Sequence, residues 1–457
     1  MKTLFGKIWD AHVVEELPSG ETLLAVDRVF LHERTGSVAL QSMADAGRRP
    51  RSPEHVFCTM DHIVSTSSDR AADDARSPGG DVFITATRAA AREAGIVLVD
   101  VLSPDQGIVH VISPELGIAQ PGFTLVCPDS HTCSQGALGA LAWGIGSTDA
   151  EHAMVTGTLR VKRPPEMRIR IDGSLRPGVT AKDVVLHIIT TLGADGAKRS
   201  AVEFSGTTVE AMSVEERLTL CNMAVEFAAW TALVAPDATT LDYLKGRRYA
   251  PVGREWDAAA SYWRTLRTDP GAAFDFEHVF DASAIPPTVS WGTSPAHAAP
   301  VSGHVPDTVP DAVSRYTGLE GGEKLSDLTI GGAFIGSCTN ARLSDLRVAA
   351  DVLRGRRVAP GVAAIVVPGS MSVRRAAEAE GLDRVFRDAG FGWNAAGCAF
   401  CFYAGGDTFA PGTRVVSSTN RNFENRQGPG VRTHLASPAV VAASAVMGRI
   451  AAPDDLP

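Results

Sequence analysis

The chain is predicted to be an α/β protein with mostly buried parallel strands. Three observations point there. Short apolar runs alternate with stretches of helical periodicity along the whole chain. Aromatics make up only 6% of a chain that is 44% hydrophobic, so the core must be built from small aliphatics. Gly (44) and Pro (27) are spread throughout, as expected for many tight turns and backbone-lined sites. At 457 residues the chain exceeds one ordinary domain and suggests two to four.

The elements follow in order. GFTLVC before Pro128 and VKRPPEMRIRI ending at Ile171 read as strands. Residues 183–192 read as a helix. GGAFIG before Ser337 and VAAIVV before Pro368 are further strands, and residues 344–353 and 370–380 further helices. Residues 282–310 are rich in Pro, Ser, Gly and Ala, the composition of a connection. This divides the chain into a larger N-terminal part, 1–285, a linker, 286–324, and a C-terminal part, 325–457. No solenoid-like repeat is present.

Charge and hydropathy exclude several classes. The net charge of −9, from 43 basic and 52 acidic residues, argues against a general nucleic-acid binder and against adsorption to anionic membrane. No window approaches the roughly 18 apolar residues that would span a bilayer. The start, MKTLFGKIWDAHVV, does not read as a secretory signal. A cytoplasmic location is expected, where thiols stay reduced.

Seven cysteines, at 58, 127, 133, 221, 338, 398 and 401, are odd in number and scattered, unlike a disulfide framework. Cys398 and Cys401 form GCAFC, and Cys338 stands 60 residues earlier in FIGSCTN, where a strand turns toward a helix. Four readings are open: a redox pair, a structural zinc, inert core cysteines, or an iron–sulfur cluster on three thiolates with one iron open to substrate. Candidate acid–base groups are Asp61 and His62 in MDH, His110 in GIVH, and Asp129, Ser130 and His131 in PDSHT. A carboxylate beside an imidazole fixes its tautomer and raises its basicity, as a proton shuttle requires. Asn222 and Glu226, four apart, are expected on one face of a helix. Arg421 and Arg426, in STNRNFENRQG, suit a dicarboxylate or tricarboxylate, each guanidinium gripping one carboxylate.

The motifs GSCTN, GCxxC and NRNFxxRQG, with MDH, GIVH, DSHT and LCNMxxE upstream in that order, resemble the aconitase family. DRVFLHE, GALGALAWGIGSTDAEH, VAPD and RTHLASPA extend the resemblance over about residues 3 to 450. Within the family the chain looks like the large subunits of isopropylmalate dehydratases. The resemblance implies three α/β/α subdomains around a [4Fe–4S] cluster, without the family's C-terminal swivel domain. It implies a hydro-lyase interconverting 2-isopropylmalate and 3-isopropylmalate through the alkene, on the route to leucine, or a paralogue acting on another 2-substituted malate of methyl, benzyl or homocitrate type. Cys338, Cys398 and Cys401 match the cluster ligands, and Asp61 and His62 the pair that protonates the leaving hydroxyl. His110, Asp129, His131 and Glu226 match groups that order water and hydroxyl. Ser130, Arg421, Arg426 and His32 match substrate-carboxylate contacts, and Asn222 and Asn420 amides near the cluster. A separate small swivel-domain subunit is implied as partner, making a heterodimer or larger assembly, with neither nucleic acid nor membrane involved.

Several positions depart from the family pattern. Pro128 precedes DSHT, Ile63 follows MDH, and Phe402, Tyr403, Ala404, Gly405 and Gly406 follow the last ligand cysteine. Residues 193–200 replace a glycine-rich stretch, and Cys133 replaces a small residue, where it is expected to be an oxidation target near the site.

Overall fold

The computed structural model describes residues 1–457. Three parallel sheets organise the chain. The first has the spatial order Val97–Val99, Val56–Thr59, Arg28–His32, Thr124–Cys127, Leu141–Gly144. The second runs Thr231–Val234, Ala201–Ser205, Glu166–Asp172, Phe276–Asp281. The third runs Gly392–Trp393, Ala363–Val366, Gly332–Ile335, Arg414–Ser417, Arg432–Leu435. The four predicted strands are all present, and the three predicted helices are Ala181–Leu192, Leu343–Leu353 and Met371–Ala379. No helix is long and apolar enough to cross a membrane.

Local chemistry explains the element ends. The helix Ala181–Leu192 starts on a capping box in which Thr180 and Asp183 satisfy each other's backbone donors. Ser213 and Glu216 do the same for Val214–Met223. Pro438–Met447 opens with Ser437 accepting from Val440 N and with proline in its first turn, where no amide hydrogen is missed. Eight of its ten residues are buried, which explains why its Ala/Val sequence is apolar on every face.

Two main cores result. One takes its residues from 4–285 together with Leu435, and covers the first two sheets. The other, from 289–450, surrounds the third. Residues 286–324 are themselves packed. They form the hairpin Thr288–Ser290/Ala298–Pro300 and the helix Asp311–Thr317, and give Val289, Trp291, Val301 and Val305 to the second core.

The first and third sheets share one topology. In each, the first strand lies centrally, the next two extend to one side and the last two to the other. The order reverses between Arg28–His32 and Thr124–Cys127, and again between Gly332–Ile335 and Arg414–Ser417. Open α/β sheets bind ligands beyond the carboxyl ends of the strands at such reversals.

The halves meet along a tight seam. Gly107 pairs with Ser370, Ile108 N donates to Gly369 O at 2.8 Å, and Met371 N donates to Gln106 O at 2.7 Å. A Cβ on Gly107 would fall 2.6 Å from Ser370 Cα and 2.8 Å from Gly369 O, which are backbone atoms that cannot rotate away. Gly107→Ala is therefore expected to lower stability by about 1–3 kcal/mol, read as a reduced denaturation midpoint. A second prediction concerns acid. His434 is buried, its Nδ1 bonded to Ser290 O at 2.7 Å and its Nε2 accepting from Arg414 at 2.7 Å. Burial, then the Arg414 charge, pushes its pKa down to about 3 from 6.5. Below pH 6.5 the unfolded chain binds a proton here that the folded chain refuses. Stability should thus fall with falling pH by up to about 1.4 kcal/mol per unit from this group. A His434→Gln variant should show a shallower acid limb in pH-dependent denaturation.

Candidate functional site

Residues beyond the strand ends of the first and third sheets come together. From the first sheet, His32 closes the central strand, Asp61 and His62 follow Val56–Thr59, and Asp129–His131 follow Thr124–Cys127. From the third, Cys338 follows Gly332–Ile335, Cys398 and Cys401 follow Gly392–Trp393, and Asn420 and Arg421 follow Arg414–Ser417. A cavity of ≈ 170 Å³ lies between them, lined by the three cysteines and by His62, His110, Asp129, Ser130, His131, Asn420, Arg421 and Arg426.

The acid–base groups form one network. Asp61 Oδ1 accepts from His62 Nδ1 at 2.6 Å. His62 Nε2 lies 3.4 Å from Asp129 Oδ2, and Asp129 Oδ1 accepts from His110 Nε2 at 2.9 Å. His131 Nε2 meets Glu226 Oε1 at 2.8 Å, and Arg421 Nε donates to the same oxygen at 2.7 Å. Asp61 is fully buried and held on every side: its Oδ2 accepts from Val109 N at 2.9 Å, its carbonyl from Cys398 N at 2.8 Å, and its amide donates to Glu33. Burial opposes the charge of His62, but the Asp61 charge foremost, then Cys398 and the hydrogen bond to Asp129, hold its pKa well above the usual value. Asp129 is likewise well below the carboxylate range despite burial, chiefly through His110. The pair is therefore an imidazolium between two carboxylates, a proton donor held in place.

The cysteine surroundings suit thiolate ligands. Asn222 Nδ2 donates to Cys338 Sγ at 3.2 Å, Asn420 Nδ2 to the same sulfur at 3.5 Å, and Arg426 Nη2 lies 3.8 Å from Cys401 Sγ. Burial pushes the Cys338 thiol up to about 12, so a thiolate here needs a cation at the sulfur. Asn420 Oδ1 and Arg426 Nε are buried with no partner, leaving an acceptor and a donor free at the cavity. Ser337 and Ala399, beside Cys338 and Cys398, have positive φ values of 85° and 44°. Strain of this kind is held at sites where geometry is dictated by a ligand. Three sulfurs, donors aimed at them and unsatisfied polar atoms fit a three-thiolate iron–sulfur cluster.

Some expectations need correction. Asn222 and Glu226 do not share a helix face: the α-helix ends at Met223 and a 3₁₀ turn, Ala224–Phe227, swings Glu226 to His131 while Asn222 faces Cys338. His32 does not line the cavity. It is buried, its ring stacked 3.8 Å from that of His62, with Nε2 bonded to Thr35 Oγ1 at 3.0 Å. Burial, with the His62 charge, depresses its pKa to about 3, so it backs His62 as a neutral ring. Cys133 is buried, its Sγ 3.1 Å from Cys221 O, and burial pushes its thiol up to about 12; it is inert core, not an oxidation target.

Three residues were missed. Arg34 lines the cavity, its guanidinium 5.0 Å over the Phe402 ring, and no ion pair engages it. Phe402, noted only as a departure, is a cavity wall edge-on to His62 at 5.5 Å and is flanked also by Arg426 at 5.6 Å. The only signal for Arg34 was its place two residues after His32. Lys182 had no signal. Its buried Nζ donates to Thr419 O at 2.5 Å and Ser418 O at 2.9 Å, and reaches Asn340 Oδ1 at 3.4 Å, tying together the loops that carry Asn420 and Cys338. Lys182→Met leaves these acceptors unsatisfied and should cost about 1–3 kcal/mol in chemical denaturation.

The profile of the Aconitase family (aconitate hydratase) matches residues 6–448. The chain is 49% identical over 460 residues to 3-isopropylmalate dehydratase large subunit 1 of Bradyrhizobium diazoefficiens, covering 98% of this chain and 96% of that one. Aconitase X of Thermococcus kodakaraensis, in its holo form, superposes with a TM-score of 0.46 at 13% identity, over 91% of this chain and 86% of that one. On the family match and the 49% identity, the chain belongs to the aconitase family.

Proposed function

We propose that this hydro-lyase is the large subunit of a 3-isopropylmalate dehydratase, moving a hydroxyl between adjacent carbons of 2-isopropylmalate through the alkene. The observation that carries the reading is the cavity in which three buried cysteines face the Asp61–His62–Asp129–His110 network. The relative's name supplies the substrate and the designation of large subunit. When bound to Cys338, Cys398 and Cys401, a [4Fe–4S] cluster supplies a Lewis-acidic iron that carries no thiolate.

This chain's own groups do the rest. Arg421, already oriented by Glu226, and Arg426 hold the two malate carboxylates, and Ser130 Oγ adds a hydrogen bond. Holding both carboxylates keeps the reacting carbons in one place while water leaves one and re-adds to its neighbour. His62 gives its Nε2 proton to the departing hydroxyl, and Asp61 steadies the ring through Nδ1 in both protonation states. His110 and His131, fixed by Asp129 and Glu226, order the released water. Removal of the C–H proton falls to a base on the separate small subunit.

Arg34 and Phe402 favour a second reading, a paralogue for another 2-substituted malate. A cation–ring pair in the cavity wall is a different surface from the aliphatic one an isopropyl group prefers.

The test uses anaerobically reconstituted protein with and without its small subunit. The chain alone should hold a visible chromophore, lost in Cys338→Ala, yet hydrate an alkylmaleate only at background rate; full activity without a partner sinks the two-subunit reading. In the assembled enzyme, His62→Gln should lower kcat by about 10²–10⁴ with little change in KM. A panel of isopropyl, methyl, benzyl and homocitrate-type malates then ranks the two readings by kcat/KM.

A further inference from the structure

Three cavities adjoin through shared wall residues. The active cavity shares Asp129 and Ser130 with a neighbour of ≈ 430 Å³. That neighbour shares Gly144, Ile145, Arg199 and Trp230 with a third, of ≈ 580 Å³. The third is strongly basic. Arg160, Lys162, Arg163, Lys198 and Arg199 line it, against Asp149 as the sole acid. Arg160 pairs with Glu21 and Arg163 with Glu166 and Asp10, but both arginines are 44% exposed or more, so these pairs hold them weakly. Lys162 and Arg199 have no ion-pair partner. One wall is the Trp143–Trp230 stack, with ring centroids 5.1 Å apart, a rigid surface in a trough of cations.

The backbone is distorted at the same place. Lys198 and Arg199 have consecutive positive φ values of 50° and 60°, and Ala228 opposite has 64°. Each costs about 1–2 kcal/mol in a residue with a Cβ. Arg199 N donates to Ala228 O at 2.8 Å and Lys198 N to Asp195 O at 3.1 Å, which holds the turn. These residues belong to the 193–200 stretch that departs from the family pattern. A strained turn that delivers two cations to a cavity next to a catalytic carboxylate is a feature that needs a use.

We propose that this trough is a second dicarboxylate-binding subsite, which collects the substrate and passes it along the Arg199 wall toward Ser130. The proposal rests on the reading of the chain as a hydro-lyase for malate-type acids. Two free cations match two carboxylates: the Arg199 guanidinium can grip one bidentately, and the Lys162 ammonium meets the other as a point charge. The trough is half open to solvent and wide enough for a small anion to enter, and the net charge of −9 opposes a nucleic acid. A cleft lined by one sign of charge concentrates the opposite ion before it reacts.

The experiment uses the assembled two-subunit holoenzyme and succinate, a dicarboxylate with no hydroxyl to lose. Titration calorimetry at low ionic strength should find two succinates per large chain. The Lys162→Glu/Arg199→Glu variant should keep the one at the active cavity and lose the other, as should the wild type in ~1 M salt. Its kcat should be unchanged while kcat/KM falls about tenfold at low salt. The charge-neutral Lys162→Gln/Arg199→Gln variant, a milder change for folding, should fall between. Retention of both succinates by the variants overturns the proposal, as does an unchanged kcat/KM. Loss of small-subunit association on gel filtration also overturns it, since the trough would then be an interface. If the wild type turns over no 2-substituted malate yet binds two succinates, the reaction reading falls and the subsite stands.

Discussion

A carboxylate sealed from water has to be satisfied on every side, and Asp61 sets this demand for the whole site. A buried charge without partners costs several kcal/mol. The Asp61 carboxylate is satisfied by the His62 ring and the Val109 helix amide, and its backbone carbonyl accepts from the Cys398 amide. Those bonds fix His62, the start of the helix that carries His110, and the loop that carries Cys398 and Cys401. Glu33 closes the shell by accepting from the Asp61 and Ile63 amides. Burial lifts the Glu33 carboxyl to about 7, a further sign of how dry this corner is.

Sheet topology brings the parts within reach. The first and third sheets repeat one strand order, and their reversal points face each other across the cavity. Each sheet contributes what its loops can hold. The first gives imidazole and carboxyl groups on turns after strands; the third gives thiols and arginines from strained, glycine-flanked turns. The second sheet supplies support: the Asn222 amide to a sulfur, and the Glu226 carboxylate to a histidine and an arginine.

What was legible in the sequence follows from range. Runs of apolar residues are local, so the strands near Pro128, Ile171, Ser337 and Pro368 were readable one by one. Residues whose chemistry is named by their neighbours, such as Asp129–His131 or Cys398 and Cys401, were readable as motifs. Asp61 meeting Cys398 was not, because 337 residues separate them and only sheet packing joins them. Spacing also misled: i and i+4 assumed a continuous helix through Asn222 and Glu226, and the chain changes to a 3₁₀ turn between them. His32 was expected as a contact because the family resemblance places one there, but its ring stacks on His62 and is buried outside the cavity. Arg34 and Lys182 carry no motif, and only the folded chain shows that one faces the cavity and the other ties two of its loops.

The seam at Gly107 and Ser370 gives these facts a further meaning. His62 follows the strand Val56–Thr59 of the first sheet and Cys338 the strand Gly332–Ile335 of the third, so their separation is not a property of either loop. It is the registry of two bodies, maintained by a few backbone bonds along a line where a single methyl group does not fit. The alignment of donor and sulfur is thus a mechanical quantity. A substitution on that line, remote from every reacting atom, is a substitution in the catalytic ruler.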